Sequence, residues 1–180
     1  STKQEWDEQY AHPLYINALD QSDQTKFEII PPGVNENIFG QTPTRTDDKL
    51  KPKLDIIFGA NSDPVILVSS RLDEKKNIIG VVQAYAEDNA LIEKAHLVLC
   101  FRGINDPTTE IHKLSKEEQI ILRKILNIIE RNHIQKHVHF LNIGSQLELA
   151  ATYRYFAKRG SVFALTSLYE PFGLAPLEAA

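Results

Sequence analysis

Short apolar bursts recur along the chain, separated by stretches in which apolar residues return at helical spacing. The main bursts are Val65-Ile66-Leu67-Val68, Leu97-Val98-Leu99-Cys100-Phe101, Val138-His139-Phe140-Leu141 and Val162-Phe163-Ala164-Leu165. A shorter one, Phe27-Glu28-Ile29-Ile30, ends at Pro31-Pro32-Gly33. Runs without polar alternation predict strands buried on both faces, as in a parallel sheet. Between them, Asn77 to Glu87 carries Ile78, Val81, Val82, Tyr85 and Ala86 at helical spacing, and Ser115 to Arg131 carries Ile120, Ile121, Leu122, Ile125, Ile128 and Ile129. Ser115 with Glu118 reads as a capping box. Ser145 with Glu148 repeats that signal before a helix over Leu147 to Lys158, which Arg159-Gly160 stops. Strand and helix in alternation predict an α/β fold, a Rossmann-like open parallel sheet that binds ligands beyond the carboxyl ends of its strands. Thr42 to Lys53 is polar and reads as a partly helical surface excursion. The first 30 residues do not share the rhythm, and Pro31-Pro32-Gly33 reads as the boundary of an earlier unit.

Composition narrows the classes. The chain has 180 residues, 42% of them hydrophobic, enough for one domain with a sizeable core. A net charge of -4 argues against a broad nucleic-acid footprint. The single cysteine, Cys100, permits neither an internal disulfide nor a cysteine zinc cluster, which fits a reducing, cytoplasmic setting. No apolar stretch reaches about 18 residues, so no membrane span is expected, and no leader is visible. The Ser-Thr start without methionine reads as a piece of a longer chain. No sequence feature fixes an oligomeric state.

Two segments carry candidate chemistry. Ser69 to Asn77 follows a predicted strand and precedes a helix. Its Arg71 and Lys76 can face the sheet crevice, hold a pyrophosphate and stabilise a leaving group's negative charge. Taken alone it also reads as a solvated charged turn. The second segment is Glu170-Pro171-Phe172-Gly173-Leu174-Ala175-Pro176-Leu177-Glu178, at the carboxyl end of the last predicted strand. Phe172, Gly173 and Leu174 are placed to open a helix whose free amides favour an anion. Glu178, about a turn and a half inside, can accept hydrogen bonds from ribose hydroxyls. Glu170, before the helix, can reach sugar hydroxyls.

Glu170, seven intervening residues and Glu178 resemble the signature of retaining glycosyltransferases of the family 4 type, and Arg71 and Lys76 match that family's basic pair. Within that family the likeness is closer to the sucrose-phosphate synthases, with sucrose synthase and other hexosyl transferases behind. It rests on Ile29 to Asn35, Ser69 to Asp73 with Lys75 to Asn77, Gly160 to Ser167 leading into Tyr169 to Glu178, and the opening Ser1 to Tyr10. The resemblance implies a GT-B fold. In that scheme residues 1–28 are the tail of an acceptor domain and linker, and 29–180 are the first part of the donor domain. It implies transfer of glucose from UDP-glucose to fructose 6-phosphate, giving sucrose 6-phosphate and UDP with retention at the anomeric carbon. Arg71 and Lys76 would contact the diphosphate, and Glu170 the transferred glucose. Amides near Gly173 and Leu174 would face phosphate or sugar, Glu178 would hold the ribose, and the loop at Asn142 would meet the base. Nucleotide sugar and sugar phosphate are then the partners, with no metal, further cofactor, nucleic acid or membrane. A nucleotide-sugar binding fragment without turnover, and the donor domain of sucrose synthase or another hexosyltransferase, are the alternatives.

Other polar and aromatic positions read as packing or surface. His96, His133, His137 and His139 lack a zinc spacing, and nothing local ties His12 to a site. Cys100 lies in a predicted strand. Tyr153, Tyr155 and Phe156 share one helix without the basic company of a nucleic-acid platform. Gly103 and Gly144 form no glycine-rich dinucleotide motif. The Arg102-Gly103 turn falls on the same sheet edge as the candidate site.

Overall fold

The structure, a computed structural model, describes residues 12–15, 28, 30, 32–59, 63–170 and 173–180. The expected strand at Phe27–Ile30, the boundary at Pro31 and the opening Ser1 to Tyr10 lie largely or wholly outside them, as do Pro171 and Phe172.

Four parallel strands form one sheet: β1 (Val65–Ser69), β2 (His96–Phe101), β3 (Val138–Asn142) and β4 (Val162–Phe163). Their spatial order is β3-β2-β1-β4. Helices are α1 (Glu36–Phe39), α2 (Arg45–Phe58), α3 (Ile78–Glu87), α4 (Asn89–Lys94), α5 (Lys116–Arg131), α6 (Gln146–Ala157) and α7 (Leu174–Ala179). The chain steps from β1 to β2 to β3 through α3, α4 and α5, then returns through α6 to lay β4 on the other side of β1. The strand order therefore reverses at β1, and the crevice between the carboxyl ends of β1 and β4 is the topological switch point.

Alternate residues of the strands serve opposite layers. Leu97, Leu99 and Phe101 of β2 face α3 and α5, meeting Ile78, Val82, Tyr85, Leu122 and Ile125. Val98 and Cys100 face α2 and α6, meeting Leu54, Phe58, Tyr153 and Phe156. Leu97, Val98 and Leu99 are all completely buried, which is why the β2 run is apolar without a break. β4 departs from the expectation. It pairs only at Val162 and Phe163, and Val162 is exposed, because this strand is the sheet's edge here.

The predicted helices form with their caps. Ser115 and Glu118 make the reciprocal box at the start of α5. Ser145 caps α6 through the Glu148 amide, while the Glu148 carboxylate reaches one residue further back, to the Gly144 N–H at 2.7 Å. Gly160 ends that segment at φ 67°, a left-handed conformation that glycine adopts without strain. The polar segment read as a surface excursion is instead α2, a full layer element. Thr44 and Asp47 form its capping box, Pro52 is accommodated inside it, and Leu54 and Phe58 are buried under the sheet. Polar residues on its outer face hide this role from a reading of Thr42 to Lys53 alone.

Arg154 of α6 holds this layer together. Its guanidinium donates to both Asp47 carboxylate oxygens at 2.8 Å and to the Ile38 and Gly40 carbonyls at 3.1 and 2.9 Å. Those bonds hold the Asp47 carboxyl well below the usual carboxylate range.

Candidate active site

The segment after β1 is shaped by local capping. Asp73 Oδ1 accepts from the Lys75 amide at 2.9 Å and opens a single 3-10 turn over Glu74–Lys76. Asn77 closes the turn in the left-handed conformation (φ 52°) and starts α3. This sharp reversal turns Lys76 back over the end of the sheet. The segment after β4 is tied to it directly: the Leu168 amide donates to the Lys75 carbonyl at 2.8 Å.

Across that junction Lys76 Nζ meets Glu170 Oε2 at 2.6 Å, although 94 positions separate them in the chain. The Ser167 hydroxyl donates to the same oxygen at 3.2 Å. Both partners of the pair are largely buried, at 22% and 27% side-chain exposure, so the attraction is only partly screened. The hydrogen bond from Lys76 lowers the Glu170 pKa. The two predicted groups are thus each other's partner at the switch point.

The second carboxylate sits differently. Gly173 takes φ 79° and caps α7, which runs for six residues with Glu178 as its fifth. The Glu178 carboxylate makes no hydrogen bond with a described residue, and partial burial raises its pKa. Two glutamates eight positions apart are therefore pushed in opposite directions, one by a cation and one by desolvation, the pattern of carboxylates with separate tasks. Arg71 is exposed and pairs with no carboxylate among the described residues. It borders a cavity of about 280 Å³ over the carboxyl ends of β1, β2 and β3, with Ser69, Ser70, Arg102, Gly144 and Ser145. A larger groove of about 520 Å³ also begins at Arg71 but runs to the start of α5, where Glu117 and Glu118 face it. Its acidic wall suits a phosphate poorly, so the smaller cavity is the better candidate.

Asn142 stands at the end of β3, but its side chain is engaged. Its Oδ1 accepts from the Gly103 amide at 3.0 Å, and its Nδ2 donates to Asn105 Oδ1 at 2.9 Å. It braces the loop after β2, and the next residue, Ile143, borders the cavity in its place. Ser69 and Ser70 fall in the candidate segment without a role of their own there, and Gly144 and Ser145 are not site candidates in the sequence. For Gly144 and Ser145 the signal is the Ser145 cap, which puts the start of α6 on the sheet edge that carries Arg71.

Other candidates fall away from this edge. His96, His137 and His139 cluster at the amino end of the sheet, with His96 Nδ1 and His139 Nε2 at 2.9 Å and the His96 and His137 rings stacked. Among the described residues no group of three His, Cys, Asp or Glu side chains is arranged to hold a metal. Complete burial pushes the Cys100 thiol up to about 12, so it is a packing residue. Tyr155 and Phe156 pack edge to face. Among the described residues no helix is long and apolar enough to cross a membrane.

Comparison with known proteins gives this geometry a family. A probable sucrose-phosphate synthase of Thermosipho melanesiensis is 39% identical over 179 residues, covering 99% of this chain and 36% of the relative. A sucrose synthase of Nitrosomonas europaea is 31% identical over 180 residues, covering 91% of this chain and 22% of the relative. The chain thus spans about a third or less of the length of these relatives. The solved sucrose-phosphate synthase of Thermosynechococcus elongatus matches in fold with a TM-score of 0.64 at 24% identity, over 99% of this chain and 37% of its own. The sheet and its helices accordingly share the parallel α/β fold of part of that structure. The family model described as "Glycosyl transferases group 1" matches residues 53–180, which include both sides of the switch point, and the chain belongs to that family.

Proposed function

We propose that this chain binds a nucleotide sugar, as the donor-side part of a glycosyltransferase. The observation that carries the reading is the Lys76–Glu170 pair bridging the β1 and β4 ends, with Arg71, which pairs with no carboxylate among the described residues, in the segment just after β1. A diphosphate would bring the anion that Arg71 lacks and would compete with Glu170 for Lys76. Glu170, once released, would accept hydrogen bonds from hydroxyls of the transferred sugar. Glu178 would accept from the ribose. The short α7 start at Gly173 and Leu174 would add amide donors. Asn142 would act through the loop it braces, setting the cavity wall near the base.

The chemical demand in such a transfer is stabilisation of the departing diphosphate as the glycosidic bond breaks, a task for Arg71 and Lys76. Glu170 would position the sugar rather than attack it, since a front-side substitution that retains configuration needs no protein nucleophile. The likeness to sucrose-forming enzymes supports a finer reading: glucose from UDP-glucose passes to fructose 6-phosphate, giving sucrose 6-phosphate and UDP. In that reading residues 1–28 are the end of an acceptor domain and 29–180 begin the donor domain. Turnover would then require the acceptor domain to close over the donor and exclude water. Binding without turnover is the expected behaviour of this chain by itself.

Calorimetric titration with UDP, UDP-glucose and ADP-glucose tests the reading. UDP-glucose should bind best, and Arg71→Ala and Glu178→Ala should each weaken it by about tenfold, the loss expected for a charged hydrogen bond. A folded chain that binds none of the three would contradict it.

A further inference from the structure

Tyr153 lies on the buried side of α6, with its ring packed against Phe39 and, edge to face at 5.6 Å, against Phe163 of β4. The residue is 7% exposed, yet its hydroxyl is fully buried without a hydrogen-bond partner. Ser69, at the carboxyl end of β1, lies beside that hydroxyl without completing a bond. Packing does not explain the phenol. Both ring contacts would serve a phenylalanine, as Phe156 shows one turn along the same layer. A buried unpaired hydroxyl burdens the fold and calls for a partner in some state of the molecule.

The neighbouring helix carries a group that could serve. α7 packs on α6, and Ala179 rests against the cluster that contains Tyr153. Its neighbour in the chain, Glu178, is half-buried and has no hydrogen bond from a described residue. The charge of Glu178 is felt at the Tyr153 hydroxyl, which burial already holds in its neutral, donating form. An unsatisfied donor on α6 and an unsatisfied acceptor on α7 thus lie on two helices packed against each other.

We propose that Tyr153 is a positioning residue for the donor site, donating its hydroxyl to the Glu178 carboxylate when nucleotide binds. The bond fixes one carboxylate oxygen and leaves the other aimed at the ribose hydroxyls. The inference rests on the donor-site reading above.

The test compares UDP with a dideoxy-UDP lacking both ribose hydroxyls, on the unaltered chain, Tyr153→Phe, Glu178→Gln and the double variant. The unaltered chain should prefer UDP. Tyr153→Phe should weaken UDP by about tenfold and leave the dideoxy nucleotide unchanged, erasing the preference. Added to Glu178→Gln, it should change little further. A merely structural tyrosine would alter both nucleotides alike, and that result, or an intact preference in Tyr153→Phe, overturns the proposal. Should that variant fold poorly, the Cζ resonance of labelled Tyr153 in the unaltered chain gives an independent answer. It should shift with UDP and not with dideoxy-UDP, and the absence of that difference overturns the proposal. If the unaltered chain binds no nucleotide, the donor-site reading fails and the inference falls with it. If it binds and discriminates while Tyr153→Phe does so equally, the inference alone fails.

Discussion

Lys76 and Glu170 neutralise each other without ligand, so substitutions on the two sides should differ in kind. Glu170→Gln removes the competitor and frees Lys76 for phosphate, but loses the acceptor for sugar hydroxyls. UDP should then bind two- to fivefold more tightly, by roughly 0.5–1 kcal/mol, while the advantage of UDP-glucose over UDP disappears. Titration of both ligands checks this, and an equal change for both would contradict it. Gly173→Ala should cost roughly 1 kcal/mol in denaturant unfolding, because φ 79° strains any residue with a Cβ although the added methyl would meet Glu170, Leu165 and Pro176 only at ordinary contact distances of 3.6–3.9 Å. At this scale the sequence was informative about type and silent about pairing. Arg71, Lys76, Glu170 and Glu178 stand out by charge and spacing. That Lys76 and Glu170 touch depends on β4 lying beside β1, which no local spacing records. Asn142 misleads for a related reason: a polar residue at a strand end looks available for ligand, yet its amide is used up by Gly103 and Asn105.

Strands and helices with a single dominant pattern were legible, and those whose role depends on a distant partner were not. β2 and α5 read directly because complete burial and amphipathic spacing leave strong signatures. The role of α2 was hidden because one of its anchors, Asp47, serves both its own capping box and Arg154, 107 positions away. Arg154→Ala would leave Asp47 and two carbonyls without their partner in a largely buried site, with Arg154 and Asp47 side chains only 10% and 17% exposed. Loss of about 3 kcal/mol is expected in denaturant unfolding. Arg154→Lys should recover only part of it, since an ammonium cannot reproduce the planar fork.

The histidine cluster sets the acid response of β2 and β3. Burial and the neighbouring histidines lower the His139 pKa to about 4, and burial lowers that of His96 as well. The unfolded chain, with histidine near 6.5, therefore binds protons that the folded chain refuses. Stability from this source is full above about 6.5 and falls as pH drops towards 4, by on the order of 1–2 kcal/mol from His139, whose ring keeps partial access to solvent. The Asp63 carboxylate, which reaches His96 at 4.0 Å, offsets a small part. His139→Gln should flatten the pH 4–6.5 limb in urea unfolding, leaving a later loss as Asp47 and Glu170 titrate. An unchanged limb would contradict the assignment.

For the whole molecule, the sheet order carries the argument from fold to function. A parallel α/β layout was predictable from the rhythm of apolar bursts, but the order β3-β2-β1-β4, and with it the crevice, emerges only from tertiary pairing. The same order separates two ends of the sheet: a polar carboxyl end with Arg71, Lys76, Glu170 and Glu178, and a histidine-rich amino end. Mapping amide shifts of the labelled chain on addition of UDP-glucose decides between them. Perturbations should concentrate at residues 69–76, 143–146, 167–170 and 173–178, and spare His96, His137 and His139. A response confined to the amino end, or to the outer face of α2 and α6, would contradict a donor site at the switch point.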